Sequence, residues 1–315
     1  MKDFPIPVVA LIGPGSQVDD GDEVLDYLPM PQGMATFRAP PLPEPEDAVA
    51  CVLAHRALRQ ALVALAELVT LPAAAGRGEG TNTRCVSLAG LPAADLLLIN
   101  QVLGEGEVSA LVAADGAGTT LQVQESVFAG VWRVIRSAAD GTVLADHIEL
   151  GAVPQALRDA AAADVQPAMP RWTAALPPQV QNAPALLAEL QDAWQTWRPG
   201  QTPHVLNLTL LPMTPEDIAF LDHHLGTGRV LMLSRGYGNC RISNALRPHC
   251  WRIVYYNSQD VVILNTVEVS ELPEVAQAAP EDLQDSHERL SEVLLWVTGD
   301  DSAGQGVADS NTGAA

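Results

Sequence analysis

The chain repeats itself once, and this duplication constrains its fold more than any other feature of the sequence. The stretch Leu103–Val108, which reads Leu-Gly-Glu-Gly-Glu-Val, returns 122 positions later as Leu225–Val230, which reads Leu-Gly-Thr-Gly-Arg-Val. A tryptophan-containing stretch, Val131–Val134, returns 119 positions later as Cys250–Ile253. Such ordered self-similarity predicts two units of one fold, and two copies are too few for a solenoid.

Each copy carries the same succession of predicted elements. A helix comes first, within Leu58–Val69 and Leu187–Trp197, because apolar residues recur there every three or four positions. A strand follows, at Cys85–Leu88 in the first copy and His204–Leu210 in the second, and then a short helix that ends at a glycine. Further strands joined by short turns favour antiparallel pairing. In the second copy these strands are predicted at Arg229–Ser234, Asn239–Ser243, Trp251–Tyr256 and Val261–Val269, before an amphipathic helix at Pro280–Val297.

The predicted fold class is therefore α+β: two tandem copies of a small antiparallel sheet with helices on one face. Composition divides the chain into an extended N-terminal arm rich in proline and glycine (1–45), a first repeat domain (46–164), a proline-rich linker (165–183), a second repeat domain (184–298) and a small, polar tail expected to be disordered (299–315). The sequence leaves open whether the two copies share one continuous sheet.

The charge balance excludes one class of partner. Seventeen basic residues stand against 38 acidic ones, for a net charge of −21, so no nucleic acid is expected to bind. An acidic surface either keeps the protein soluble or steers a basic partner towards it. The longest apolar stretch, around Ala48–Val69, is interrupted by polar and charged residues, and the N-terminus does not have the pattern of a signal peptide. We therefore expect a cytoplasmic protein that does not cross a membrane.

No motif of catalysis or cofactor binding is recognised. Gly13–Ser16 lacks the Gly-Lys-Ser/Thr ending of a phosphate loop, and no Gly-x-Ser-x-Gly occurs. The four cysteines form no Cys-x-x-Cys pair, so free thiols are expected. Cys240 and Cys250, with nearby His249, make an incomplete zinc set; structural burial or a transient iron or cluster contact both fit. No metal site and no cofactor are predicted.

The most unusual run in the chain is Ser234–Cys240. It fits either a hairpin turn with a packed tyrosine or an exposed recognition loop, since tyrosine and arginine often dominate binding hot spots. The matching loop of the first copy, Ala113–Thr119, has no such residues, and this divergence favours a function in the second copy. Acidic residues near the first glycine turn fit a solvated face or a docking surface. The residues predicted to contact a partner are Arg235, Gly236, Tyr237, Gly238, Asn239 and Cys240 in the loop, Glu105 and Glu107 in the first copy, and Tyr27 and Met30 in the arm.

Several short motifs together resemble a known family. In order, they are Gly13–Gln17, Leu28–Pro31, Leu103–Val108, Gln124–Ser126, Gly130–Val134, Ser234–Arg241, Leu264–Glu268 and Leu272–Val275. These runs look like those of the hydrogenase expression/formation proteins of the HupH, HyaF and HoxQ type. The resemblance extends over almost the whole chain.

The resemblance implies a maturation factor without catalytic residues of its own. Such a protein would act as a cytoplasmic assembly chaperone for the iron–sulfur small subunit of a nickel–iron hydrogenase, and would bind the precursor before export. It would work beside a thioredoxin-like accessory protein and guard cluster assembly against oxygen. A transient metal or iron–sulfur cluster carrier that uses Cys240, Cys250 and His249 is the alternative, and an enzyme of unknown type is a third hypothesis.

Overall fold

A computed structural model describes residue 48 and residues 50–70, 84–166, 168–170, 175–236 and 239–299. Within these ranges ten strands form one sheet in which every neighbouring pair is antiparallel. The strands of the first copy are β1 (Arg84–Ser87), β2 (Val108–Val112), β3 (Thr120–Glu125), β4 (Val131–Ser137) and β5 (Val143–Leu150). Those of the second copy are β6 (His204–Asn207), β7 (Val230–Ser234), β8 (Asn239–Asn244), β9 (Cys250–Tyr256) and β10 (Val262–Val269).

The helices lie before, between and after these strands. In the part of the chain that the structure describes they are, in order, α1 (Val52–Val69), α2 (Ala93–Leu103), α3 (Gln155–Ala163), α4 (Ala183–Thr196), α5 (Pro215–Leu225) and α6 (Pro280–Thr298), with a 3-10 turn at Glu274–Ala276. The fold class predicted from the sequence, α+β with an internal duplication, is confirmed.

The two copies form one continuous sheet, which answers the question that the sequence left open. The strand order is β1-β5-β4-β3-β2-β7-β8-β9-β10-β6, so the first copy runs outward from β2 and the second outward from β7. Strands β2 and β7 pair from Val108 opposite Ser234 to Val112 opposite Val230. This pair, named the seam here, relates the two copies by an approximate two-fold axis because each copy supplies its equivalent strand.

Alternation along the strands assigns the helices to the two faces of the sheet. Val131 packs in a core with α1, α2 and α6, whereas its neighbour Trp132 packs in the central core with α3 and the 3-10 turn. In the second copy Cys250 packs with α4 and α5, and Trp251 packs in the same central core as Trp132. The helices predicted from the sequence therefore share one face, and α3, which was not predicted, covers the centre of the other.

The last helix crosses back to the first copy. Leu290, Leu294 and Val297 of α6 are buried in the same core as Leu58 and Leu65 of α1. Burial of such side chains stabilises the fold by about 2 kcal/mol each. Because α6 belongs to the second copy in sequence but packs on the first, it ties the two copies together in addition to the seam.

An aspartate repeated in both copies holds the helices together. In the second copy Asp217 of α5 accepts hydrogen bonds from the backbone N–H groups of residues 181–183, at 2.8–3.0 Å, where α4 begins. In the first copy Asp95 of α2 accepts the N–H of Ala54 in the first turn of α1, at 2.7 Å. Each carboxylate satisfies donors that a helix N-terminus leaves without partners, so the two aspartates have an architectural role.

The strand predicted at His204–Leu210 is shorter than expected. Strand β6 ends at Asn207, whose side-chain oxygen accepts the N–H groups of Thr209 and Leu210 at 3.1 and 3.3 Å. This local turn competes with the sheet for the backbone, which is why the apolar run does not continue as a strand. The arm at 1–45 and residues 300–315 of the predicted tail lie outside the described residues.

Candidate functional site

The seam brings together two groups of residues that the sequence analysis selected separately. At one end of β2 and β7, the N–H of Arg235 donates to the carbonyl oxygen of Glu107 at 3.2 Å. The carboxylate of Glu107 also lies against Gly236, where any Cβ atom would overlap it. This surface, named the seam site, comprises Glu105, Glu107, Arg235, Gly236 and Asn239.

The residues of the seam site differ in their access to solvent. Glu105, Glu107 and Gly236 are exposed, and Arg235 and Asn239 are half-buried. The exposed carboxylate of Glu107 therefore lies on the same surface as the first residues after β7, and the exposed Glu105 is two residues before it. Four further residues that the sequence selected lie outside the described residues, namely Tyr27, Met30, Tyr237 and Gly238.

Cys240 does not belong to that surface. Its side chain is fully buried in the central core, and burial raises the pKa of its thiol to about 11, against the opposing effect of Ser234. A thiol with such a pKa remains protonated near neutrality and is a poor nucleophile there. Cys240 therefore packs beneath the loop, and its thiol is not presented to a partner.

The cysteine–histidine set considered for a metal carrier is not assembled. Cys240 points into the central core, whereas Cys250 packs on the opposite face with α4 and α5. Cys240 lies opposite Tyr255 on β9, five residues along that strand from Cys250, which corresponds to about 17 Å. His249 instead stacks on Trp197, with ring centroids 4.5 Å apart. The three residues considered for the alternative of a metal carrier therefore lie apart, because consecutive strands place the two thiols in different cores.

The two ends of the seam have different charges. The first-copy position occupied by Glu107 corresponds to Arg229 in the second copy, 122 positions later. Arg229 is held by Asp164, whose two oxygens accept its backbone N–H and its guanidinium Nε–H, each at 2.6 Å. One end thus presents exposed carboxylates beside the short connection from β7 to β8, and the other carries an arginine held by an ion pair.

A buried acid lies directly below the seam site. Oε2 of Glu125 accepts the N–H of Val108 at 3.3 Å, and its equivalent in the second copy, Asn244, accepts the N–H of Val230 at 2.9 Å. Burial raises the pKa of Glu125 to about 7; the N–H groups of Val108 and Gly130 oppose this shift, and the charge of Glu107 adds to it. The first copy therefore places an ionisable group where the second has a neutral amide.

An open groove of about 900 Å³ lies between α1 and β1, at the edge of the sheet. Its walls include Val52 and Val63, both 61% exposed, and the three arginines Arg56, Arg59 and Arg84. Arg84 pairs with Glu67 at 2.6 Å. The groove was not predicted, because it forms only when the first helix and the edge strand are brought together.

Three side chains on β1 and β5 could hold a metal ion. Cys85, His147 and Glu149 each offer one ligand atom, and these atoms lie within 4.8 Å of one another. Cys85 stands opposite Glu149 in the strand pair, and His147 is two residues before Glu149 on the same face. The sequence analysis missed this cluster because Cys85 and His147 are distant in sequence. The missing signal was the register of β1 against β5.

Among the described residues, no helix is both long and apolar enough to cross a bilayer.

These features define a duplicated α+β protein whose distinctive surfaces are the seam site and the edge groove. The sequence pattern described as the HupH hydrogenase expression protein, C-terminal conserved region, matches the chain twice, at residues 59–177 and 180–297. The chain belongs to this family. The two matches coincide with the two copies found by internal comparison.

Relatives with curated names are similar over about three quarters or more of their own length. The hydrogenase expression/formation protein HoxQ of Cupriavidus necator is 51% identical over 94% of this chain and 99% of its own. HupH of Rhodobacter capsulatus is 46% identical over 93% of this chain and 98% of its own. The hydrogenase-1 operon protein HyaF of Escherichia coli is 36% identical over 67% of this chain and 73% of its own. A solved chain, the hydrogenase expression protein HupH from Thiobacillus denitrificans, is 28% identical over 35% of this chain and 92% of its own, with a TM-score of 0.32.

Proposed function

We propose that this protein is an accessory factor in hydrogenase maturation, and that it binds the precursor of the iron–sulfur small subunit in the cytoplasm before export. The names of the relatives support the role in maturation, since the similarity spans both copies and nearly every residue of those proteins. The choice of the small subunit as client is the finer part of the proposal. A thioredoxin-like accessory protein is the second proposed partner.

The observation that carries the proposal is the seam site. Glu107 is exposed and its backbone carbonyl accepts the N–H of Arg235 at the end of the strand pair, two residues after the exposed Glu105, and this end of the seam differs in charge from its counterpart. Such charges select a partner by electrostatic complementarity more than by buried area. With a net charge of −21, the protein favours a client segment that carries lysine or arginine.

The proposed role is binding, with no catalytic step. The seam site offers carboxylates, a guanidinium and backbone groups, and the thiol of Cys240, in the next strand, is buried with a pKa of about 11. A chaperone needs a fixed surface that recognises the client and can release it. Charge pairs at the rim of an interface suit this requirement because they affect specificity and association rate strongly.

The test is capture of the small-subunit precursor by the tagged protein from cells that make the hydrogenase. We expect the wild type to capture the precursor, and the Glu105→Lys/Glu107→Lys double variant to capture it about tenfold less, as two lost rim charges predict. The matched control is Asp192→Lys/Glu292→Lys, which changes the net charge equally at exposed positions elsewhere. Wild-type protein that captures no small subunit would refute the choice of client. Equal loss in both double variants would refute the seam site as the contact surface.

A further inference from the structure

We propose that Cys85, His147 and Glu149 form a site for one divalent ion of the zinc class at the edge of the sheet. The proposal does not depend on the role in hydrogenase maturation. It rests on three ligand atoms of different chemistry that two paired strands place within 4.8 Å of one another.

The spacing of the three side chains suits a metal ion better than direct contact. Nε2 of His147 lies 3.7 Å from Oε2 of Glu149, which is too long for a hydrogen bond between them. Two ligands bound tetrahedrally to one Zn²⁺ lie roughly 3.4 Å apart, given metal–ligand distances of ~2.0–2.1 Å. Small rotations of the side chains would therefore bring all three atoms onto a shared ion.

The carboxylate of Glu149 is already oriented for this role. It is only 2% exposed, and its Oε1 accepts the N–H of Gln155 at 2.6 Å, where helix α3 begins. That hydrogen bond fixes the side chain and leaves Oε2 on the side of His147. A metal ligand held by an outer hydrogen bond loses less freedom when it binds the ion.

The thiol of Cys85 provides the soft ligand. It is exposed, and both its partial desolvation and the nearby Glu149 raise its pKa. A divalent ion would offset the repulsion between thiolate and carboxylate and displace the proton of the thiol, so binding should strengthen as pH rises. Sulfur, nitrogen and oxygen together favour Zn²⁺ over Mg²⁺ or Ca²⁺, and three protein ligands leave a fourth position open.

The second copy supplies an internal comparison. In the first copy, β1 pairs with β5 and Cys85 lies opposite Glu149. In the second copy, β6 pairs with β10 in the equivalent register, and Val205 lies opposite Glu268. The position of His147 is occupied by Thr266, at the same offset of 119. The glutamate is thus common to both copies, whereas cysteine and histidine occur only in the first. A structural requirement of the fold would not need these two residues, since the second copy forms the same strand pair without them.

The same comparison provides matched variants. Cys85→Val and His147→Thr each introduce the residue that the second copy carries at the same register, so both variants are expected to fold. Cys51→Ala is the control, since it removes a buried thiol on α1's side of the sheet. Circular dichroism and thermal melting of each metal-free protein check the fold.

The experiment is a titration of the purified, reduced, metal-free full chain with Zn²⁺ in competition with a chromophoric chelator. It is followed by Co²⁺ substitution, in which thiolate-to-cobalt absorption reports a cysteine ligand. We expect one tight equivalent per wild-type chain, thiolate absorption that is lost in Cys85→Val, and affinity at least about tenfold weaker in Cys85→Val and His147→Thr. The Cys51→Ala variant should bind like the wild type. Equal affinity in wild type and both cluster variants, or cobalt–thiolate absorption that persists without Cys85, would overturn the proposal.

Discussion

The buried Glu125 should make the stability of the protein depend on pH through a single side chain. The residue is 7% exposed, and burial raises the pKa of its carboxyl group from 4.5 to about 7 in the folded state. The folded protein therefore holds the proton more tightly than the unfolded chain does. This tighter binding of the proton by Glu125 stabilises the protein at low pH, and the stabilisation is lost as pH rises from ~4.5 through ~7.

The size of this effect follows from the two pKa values. A shift of about 2.5 units corresponds to roughly 3 kcal/mol in total, and about 2 kcal/mol of it falls between pH 5.5 and pH 8. Glu125→Gln keeps an oxygen that can accept the N–H of Val108 and removes the titration. Asn244 already does this at the equivalent position of the second copy. The free energy of unfolding of Glu125→Gln should therefore rise by about 2 kcal/mol relative to that of the wild type when the pH is raised from 5.5 to 8.

The assay is urea unfolding of the wild type, Glu125→Gln and the exposed control Glu105→Gln at pH 5.5 and pH 8. The difference in unfolding free energy between wild type and variant is compared at the two pH values, so the titration of groups that both proteins share cancels. We expect Glu105→Gln to follow the wild type at both pH values. A free-energy difference between wild type and Glu125→Gln that does not change with pH would refute the assignment of the titration to this residue.

Two further predictions concern positions that hold the repeated architecture. Gly106→Ala should destabilise the protein by more than about 2 kcal/mol in urea unfolding, because the added methyl group would overlap the backbone carbonyl of Ser126; a loss below 0.5 kcal/mol would contradict the close approach. Asp217→Asn should cost about 2 kcal/mol at pH 7, because it weakens the cap on α4 and places an amide N–H against the N–H of Thr214. Burial alone would raise the pKa of Asp217, but the N–H groups that bond to it lower the pKa overall. The wild type should therefore lose stability as Asp217 is protonated in acid, and the difference in unfolding free energy between wild type and Asp217→Asn should shrink as the pH falls. A difference that stays constant with pH would argue against these hydrogen bonds.

Much of the fold was predictable because it depends on local patterns. The duplicated Leu-Gly-x-Gly turn located strands β2 and β7, and the apolar periodicity located α1, α4 and α6. The seam was not predictable, since pairing of Val108 with Ser234 depends on a contact between copies that no local pattern records. For the same reason, the sequence selected Glu107 and Arg235 separately and could not place them side by side.

The candidate metal site and the separation of Cys240 from Cys250 show the same limit of sequence spacing from two directions. Cys240 and Cys250 are close in sequence, but side-chain alternation and the turn between β8 and β9 separate them into different cores. Cys85 and His147 are distant in sequence, but the β1–β5 register joins them. Spacing along the chain is a guide to a ligand set only within one helix or one turn, where local geometry fixes the side chains.

Comparison of the two copies separates structural positions from functional ones. Where the copies agree, the shared residue supports the fold: Trp132 and Trp251 both donate to a backbone carbonyl, at 2.9 and 3.3 Å. Where they differ at one register, as at Cys85 and Glu107, the fold does not require the residue found in the first copy. Glu149 supports the fold by this criterion, because the second copy also has a glutamate, Glu268, at the equivalent position. The metal affinity proposed here should therefore depend on Cys85 and His147, whereas loss of Glu149 should also reduce stability.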